Sequence, residues 1–118
     1  MARETPRRNR RIPLAASVTL AFREGEETIS LRGMAADISY SGLGVYVPRH
    51  LGDGTEVTVT INFIAAAGII KSETLRGRVV FTEFIRDTFF TGIEFHEDLS
   101  PEGTPLLYGR LAEILDAV

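Results

Sequence analysis

Apolar and polar side chains alternate along most of the chain, and this period of two is typical of strands that bury one face of a sheet. The alternation is plainest over residues 57–63, where four apolar side chains are separated by three polar ones. Runs of the same kind predict five further strands, at residues 14–22, 28–38, 43–47, 74–84 and 88–96. The pattern therefore predicts six strands.

Turn-forming residues separate these strands. Three short polar groups are of the kind that joins antiparallel strands: Glu24-Gly25-Glu26, Gly52-Asp53-Gly54 and Arg86-Asp87. A fourth interruption, at residues 39–42, follows the strand predicted at residues 28–38. In that strand the alternation assigns two faces, one with Met34, Ala36 and Ile38 and the other with Ala35, Asp37 and Ser39.

The period changes at the end of the chain. Thr104 is a favourable N-cap, and Pro105 suits the first position of a helix. Apolar residues then recur at helical spacing on one face, at Leu107, Leu111, Ile114, Leu115 and Val118. The elements predict a mostly β fold, a small six-stranded antiparallel (split) β-barrel with one C-terminal amphipathic helix, because closing a sheet removes its exposed edges.

Composition limits the possible functions. The chain has 118 residues, which suits one domain, and it contains no cysteine, which excludes disulfides and thiolate chemistry. His50 and His96 have no third ligand at metal spacing and are expected on the surface, and no nucleophile or paired acid can be identified. We therefore expect no metal, no cofactor and no enzyme activity. No apolar run approaches the roughly 20 residues of a membrane span, and a soluble cytoplasmic protein is expected.

The net charge of −3 hides an asymmetry. Residues 1–12 carry five arginines and one glutamate, a net +4, whereas the other 106 residues carry eight basic and 15 acidic side chains, a net −7. An acidic body disfavours binding of a nucleic-acid polymer, including RNA or single strands in a barrel groove, because that affinity comes from many phosphate contacts. A short basic arm suits a small anion better.

Arg7 and Arg11 are four residues apart, so their guanidinium groups can converge on one ligand. A guanidinium is a planar set of donors that matches phosphate oxygens and the O6 and N7 acceptors of guanine. Arg8 and Arg10 lie between them as supporting charge or as solvated side chains. The alternative interpretation is a solvated basic tail that interacts weakly with acidic surfaces.

A second group of polar residues lies in Asp37-Ile38-Ser39-Tyr40-Ser41-Gly42. If residues 37–39 continue the strand, the Asp37 carboxylate and the Ser39 hydroxyl are presented together while Ile38 points to the core. A carboxylate can accept two bonds from the N1–H and N2–H₂ donors of guanine, and Gly42 allows a positive φ or the close approach of a flat ring. The alternative is an ordinary turn between two strands.

The combination of Arg-x-x-x-Arg before the first strand and Asp-x-Ser-x-x-Gly after the second resembles the PilZ domain, a family of bacterial receptors for the second messenger cyclic di-GMP. The likeness covers most of the chain and includes Leu43-Gly44-Val45, residues 91–95, and Asp98-Leu99-Ser100 before the helix. In that family the arginine motif lies on a flexible segment that wraps over the ligand on a six-stranded barrel. The resemblance implies a flexible arm at residues 1–12 and a PilZ-like barrel with its helix at residues 13–118.

The resemblance also implies roles for the motif residues. Arg7 and Arg11 would hold phosphate and a guanine Hoogsteen edge, and Asp37 and Ser39 would address a guanine, with Gly42 giving clearance. Tyr40 and Ser41 are expected to support this contact. Tyr40, which lies inside the second motif, is the aromatic residue expected to touch a base. Four phenylalanines at strand spacing are expected in the core, namely Phe63, Phe81, Phe89 and Phe95.

Two points in the motif stay open. Arg3 and Arg7 have the same spacing as Arg7 and Arg11, but Arg11 adjoins the first strand, as the second arginine of the family does, which favours the second pair. Many members carry an extra arginine where this chain has Pro6, so one or two ligand molecules fit the pattern.

The resemblance implies a receptor that signals to an unidentified protein partner in motility, exopolysaccharide or biofilm control. The alternative is a PilZ-like β-barrel adaptor that no longer binds nucleotide and acts by protein–protein interaction. A nucleotide titration separates these two functions, because an adaptor would show no saturable binding.

Overall fold

The computed structural model describes residues 9–64 and 66–116. Over these residues the chain forms seven strands and one α-helix: β1 (Ile12–Pro13), β2 (Ser17–Glu24), β3 (Glu27–Ile38), β4 (Gly42–Val47), β5 (Glu56–Ile64), β6 (Ile70–Ile85), β7 (Thr88–Phe95) and α1 (Pro105–Asp116). A short 3₁₀ turn, Ala66–Gly68, precedes β6. The prediction of a mostly β fold with a C-terminal helix is confirmed, although β6 begins four residues earlier than residues 74–84 imply.

The strands pair in the order β3-β2-β5-β6-β7-β4, and β4 pairs again with β3, so six antiparallel strands form a closed ring. The two-residue β1 pairs with the end of β3, at Asp37 and Ile38, beyond the residues that pair with β2. This ring is compatible with the predicted split barrel. Within the described ranges no helix is long and apolar enough to cross a membrane.

Tight turns fix the register of the hairpins. Arg86 and Asp87 join β6 to β7 with φ angles of 49° and 65°. Two consecutive left-handed residues are typical of a type I′ turn, whose twist matches that of the flanking strands. The predicted turns at residues 24–26 and 52–54 are also present, and the positive φ of Gly25 and of Gly54 explains the glycine in each.

The inward faces of the ring and one face of α1 form a single core. The side chains with almost no exposed surface include Leu20, Ile38, Leu43, Ile61, Ile93, Leu107 and Leu111. Leu115 is also buried, so the predicted apolar face of the helix is confirmed for Leu107, Leu111 and Leu115. Ile114 lies at the edge of that face and is partly exposed. Val118 lies outside the described residues.

The N-terminus of α1 is held by a residue from another element. The backbone amides of Leu106 and Leu107 donate to the two carboxylate oxygens of Glu73, at 2.9 and 2.7 Å. Thr104 precedes the helix as predicted, but its hydroxyl accepts from the Ser100 amide at 3.1 Å and so closes the preceding turn. The cap predicted for the Thr104 side chain is therefore supplied by β6.

Two β-bulges change the faces predicted from strict alternation. The register of β3 shifts between Ala35 and Asp37, so Met34 faces solvent while Ile38 is buried, and the prediction that they share a face is wrong. The register of β6 shifts between Val79 and Phe81, which leaves Phe81 on the outer surface and not in the core. A bulge adds one residue and reverses the parity of the positions beyond it.

The other predicted core phenylalanines lie where expected. Phe63 and Phe95 are buried, and Phe89 is partly buried against the core. His50 and His96 are exposed. His96 contacts the Glu56 carboxylate on the surface.

Candidate ligand-binding site

The polar residues of the second motif lie where β3 ends and the chain turns into β4. Ser39 organises this turn, because its hydroxyl oxygen accepts from the amides of Ser41 and Gly42 at 3.2 and 3.1 Å. The Ser39 amide in turn donates to the Gly42 carbonyl at 2.9 Å. Ser39 is 1% exposed. Its hydroxyl therefore supports the turn and is not presented to solvent beside the carboxylate of Asp37.

The first motif reaches this turn through Arg11. Pairing of β1 with β3 sets Pro13 opposite Asp37, which brings the preceding residues of the chain alongside the turn. The Arg11 guanidinium then donates through Nη1 to Oδ1 of Asp37 at 2.9 Å. The two side chains stay 43% and 30% exposed, so both can still be approached from solvent.

A second contact joins the start of the described chain to the same turn. The Ser41 hydroxyl donates to Oδ1 of Asn9 at 2.7 Å, and the hydroxyl groups of Ser41 and Ser39 are 3.2 Å apart. Residues 9–13 are thus tied to the turn by a side-chain hydrogen bond, an ion pair and the β1 pairing. Asn9 was not among the predicted site residues, although it lies only two residues before Arg11.

Gly42 is required first by the backbone. A Cβ atom at this position would lie 2.5 Å from the carbonyl oxygen of Ile93 on β7 and 3.6 Å from Nη2 of Arg11. Its φ is not in the left-handed region, so the close approach of β4 to β7 explains the glycine. The Arg11 guanidinium also lies beside Gly42, on the side where a Cβ atom would stand.

The remaining predicted site residues are distributed differently. Tyr40 is buried in the core cluster with its ring 5.4 Å from that of Tyr108. Arg10 is exposed beside Arg11. Arg7 and Arg8 lie outside the described residues, as does Arg3, so the choice between the two arginine pairs stays a prediction.

Comparison with models of known protein families identifies the family of the chain. The family model described as the PilZ domain matches residues 5–108, a range that includes both motifs. The chain belongs to the PilZ family. The predicted resemblance is therefore confirmed, and the matched range contains Arg11 and the turn of residues 37–42.

Solved structures support the fold. One similar chain is the Bacillus subtilis inhibitor of motility MotI/DgrA, with a TM-score of 0.67 and 16% identity over 90% of this chain; this PilZ domain spans half the length of that protein. Another is the PilZ domain of CeSA from a cellulose-synthesizing bacterium, with a TM-score of 0.55 and 21% identity over 92% of this chain and 99% of that one. No curated protein sequence matches significantly.

The described residues contain no group of three or more histidine, cysteine or acidic side chains arranged to hold a metal ion. The side chains at the turn are hydrogen-bond donors and acceptors. Arg11 supplies cationic N–H donors and Asp37 supplies anionic acceptor oxygens, side by side on an exposed surface.

Proposed function

We propose that this PilZ domain is a receptor module for cyclic di-GMP and binds the nucleotide on the outer face of the ring, where β1 meets the turn of residues 37–42. Two facts support the proposal. The family is shown by the match over residues 5–108, and the second motif is complete in Asp37, Ser39 and Gly42.

The observation that carries the proposal is the contact between the two motifs. Arg11 and Asp37 are 26 positions apart, yet their side chains form an ion pair at 2.9 Å above Gly42. Guanine presents acceptors at O6 and N7 and donors at N1 and N2, so one base can bond to both members of such a pair. Neither a basic tail nor a plain turn requires this juxtaposition.

The energy of the ion pair allows a ligand to rearrange it. Exposed ion pairs contribute about 0–1 kcal/mol, because water screens the charges and two long side chains must be ordered. Hydrogen bonds to charged groups contribute about 1.5–3 kcal/mol each when they are desolvated. A guanine edge that replaces water around Arg11 and Asp37 therefore gains more than the pair loses.

Arg7 completes the proposed site. It stands four residues before Arg11, a separation that an extended chain spans in at most about 14 Å. Arg7 is within reach of the phosphates of a nucleotide whose base lies at Asp37, and Arg8 and Arg10 add positive charge around it. Ser39 and Ser41 act by holding the turn and Asn9, and Tyr40 supports the turn from the core.

Isothermal titration calorimetry with cyclic di-GMP tests the proposal and gives affinity and stoichiometry together. We expect Arg11→Ala and Asp37→Ala each to weaken binding by about tenfold or more, since each removes at least one charge-assisted contact. Arg49→Ala is the matched control, because Arg49 forms an exposed ion pair with Glu24 and is 42% exposed, close to the 43% of Arg11. Its affinity should equal that of the wild type.

Two outcomes would contradict the proposal in different ways. Absence of saturable binding by the wild-type protein would refute the receptor function and favour the adaptor alternative. If Arg3→Ala abolishes binding and Arg11→Ala leaves the affinity unchanged, the receptor function stands but the motif consists of Arg3 and Arg7. A downstream role in motility, exopolysaccharide or biofilm control then requires a protein partner, which affinity capture with and without nucleotide would identify.

A further inference from the structure

Three aromatic side chains on the outer face of the ring have no part in the motif contacts described above. Tyr46 on β4 and Phe90 on β7 are cross-strand partners, with ring centroids 5.0 Å apart. Phe81 on β6 lies next, its centroid 5.8 Å from that of Phe90. Tyr46 and Phe81 are 37% and 40% exposed. We call these three residues the aromatic wall.

The aromatic wall adjoins the Asp37 carboxylate. The strand register aligns Asp37, Gly44, Gly92 and Phe81 in one row across β3, β4, β7 and β6. A Cβ atom at Gly44 would lie 2.7 Å from Cζ of Phe90 and 2.8 Å from Oδ1 of Asp37. The ring of Phe90 and the carboxylate of Asp37 therefore converge over one residue that has no side chain.

Phe81 covers Gly92 in the same manner, because a Cβ atom at Gly92 would overlap the Phe81 ring. Glycines on two neighbouring strands thus let aromatic rings lie close to the sheet beside a polar pair. The result is an apolar surface with hydrogen-bonding groups at one end, formed by Arg11 and Asp37.

We infer that the aromatic wall stacks a guanine base whose polar edge is held by Asp37 and Arg11. This inference rests on the proposed function and adds specificity-determining residues from β4, β6 and β7 to the site. A purine has an apolar face and a polar edge, and stacking of bases on aromatic side chains is a substantial source of nucleotide affinity. The aromatic wall can stack on the apolar face of the base, and Arg11 and Asp37 can bond to its polar edge.

The polar end of the wall favours a base over an apolar protein surface as the occupant. An apolar partner seated on Phe90 would also cover Asp37, whose carboxylate would keep its bond from Arg11 but lose the water around its other acceptor positions, which is unfavourable. A guanine removes this penalty because its N1–H and N2–H₂ groups donate to the carboxylate.

The first test compares two phenylalanine variants by calorimetry with cyclic di-GMP. Phe90→Leu removes the aromatic face but keeps an apolar side chain, and we expect about tenfold weaker binding, within the range seen when stacking residues are truncated. Phe84→Leu is the matched control, because Phe84 is 63% exposed and its ring contacts Phe89 and not the wall. Its affinity should be unchanged, and far-UV circular dichroism should be the same for both variants.

A second test reports stacking directly. The chain contains no tryptophan, so Phe90→Trp introduces a single fluorescent indole into the wall. We expect its emission to change at saturating cyclic di-GMP, because a base stacked on the indole replaces the water around it, whereas Phe84→Trp should respond little.

The outcomes separate the two hypotheses. If the wild type fails to bind cyclic di-GMP, both the receptor function and the stacking inference are wrong. If the wild type binds while Phe90→Leu keeps full affinity and the Phe90→Trp emission is unchanged, the receptor function stands and the aromatic wall does not contact the base.

Discussion

Glu73 should stabilise the whole domain, although it lies near the start of β6 and outside the ligand site. Its two carboxylate oxygens accept from the amides of Leu106 and Leu107, the first free N–H groups of α1. These amides have no partner within the helix, and the carboxylate also lies at the positive end of the helix dipole. Glu73→Ala removes the cap and the negative charge that faces these two amides.

The structure allows an estimate of the loss. The Leu106 side chain is partly exposed, whereas Leu107 is buried, so water replaces the lost acceptor more readily at the first amide. Replacing a helix N-cap by alanine costs about 0.5–2 kcal/mol, and a buried unpaired amide costs about 1–3 kcal/mol. We expect Glu73→Ala to lower the free energy of unfolding by about 2 kcal/mol. Glu73→Gln keeps one acceptor without the charge and should lose about half as much.

Urea unfolding followed by circular dichroism measures this change, and thermal unfolding should show a Tm lower by about 8 °C for a domain of this size. Glu83→Ala is the control on the same strand, because Glu83 is exposed on the outer face. It should stay within about 0.5 kcal/mol of the wild type. Equal stability of Glu73→Ala and Glu83→Ala would refute the idea that β6 caps the helix.

Three further predictions concern the ligand site. Cyclic di-AMP should bind about 100-fold more weakly than cyclic di-GMP, because adenine has an acceptor at N1 and no amino group at C2 and so offers Asp37 neither donor of guanine; similar calorimetric affinities would mean that Asp37 does not read the base. Gly42→Val should lower the Tm by overlap with β7, whereas Gly44→Ala should keep the Tm and weaken binding by displacing Asp37 and Phe90; an unfolded Gly44→Ala would refute this distinction. Amides of residues 3–8 should gain protection from hydrogen exchange when nucleotide binds, while residues 57–63 change little; unaltered exchange at residues 3–8 would exclude ordering of the arm.

The fold was largely predictable because its period-two pattern is carried by strands with one buried face. Residues 57–63 show this best, and the structure has β5 there with every second side chain buried. Strict alternation failed at the bulges of β3 and β6, where one extra residue reverses the faces. Phe81 illustrates the error, since nothing in its apolar character distinguishes a core side chain from one that lies over Gly92 on the outside.

The site was predictable in composition but less so in geometry. The spacing of Asp37, Ser39 and Gly42 indicated a motif, and the structure brings Asp37 beside Arg11. Spacing did not show that Ser39 turns inward, because a serine that follows a strand can continue it or close a turn with equal ease. The convergence of Phe90 and Asp37 over Gly44 depends on pairing between β4 and β7, and no local pattern encodes the pairing of strands that are distant in sequence.

The position of Arg11 also alters the energetics expected for the arm. The sequence predicted a flexible segment at residues 1–12, in which binding would have to offset about 1–2 kcal/mol for each residue that becomes fixed. Asn9 and Arg11 contact Ser41 and Asp37 at the turn. These contacts within the chain offset part of the cost of ordering the two residues. The remaining ordering cost in the proposed mechanism falls mainly on the part of the arm that carries Arg7, so substitutions that release Asn9 should weaken the affinity without removing a ligand contact.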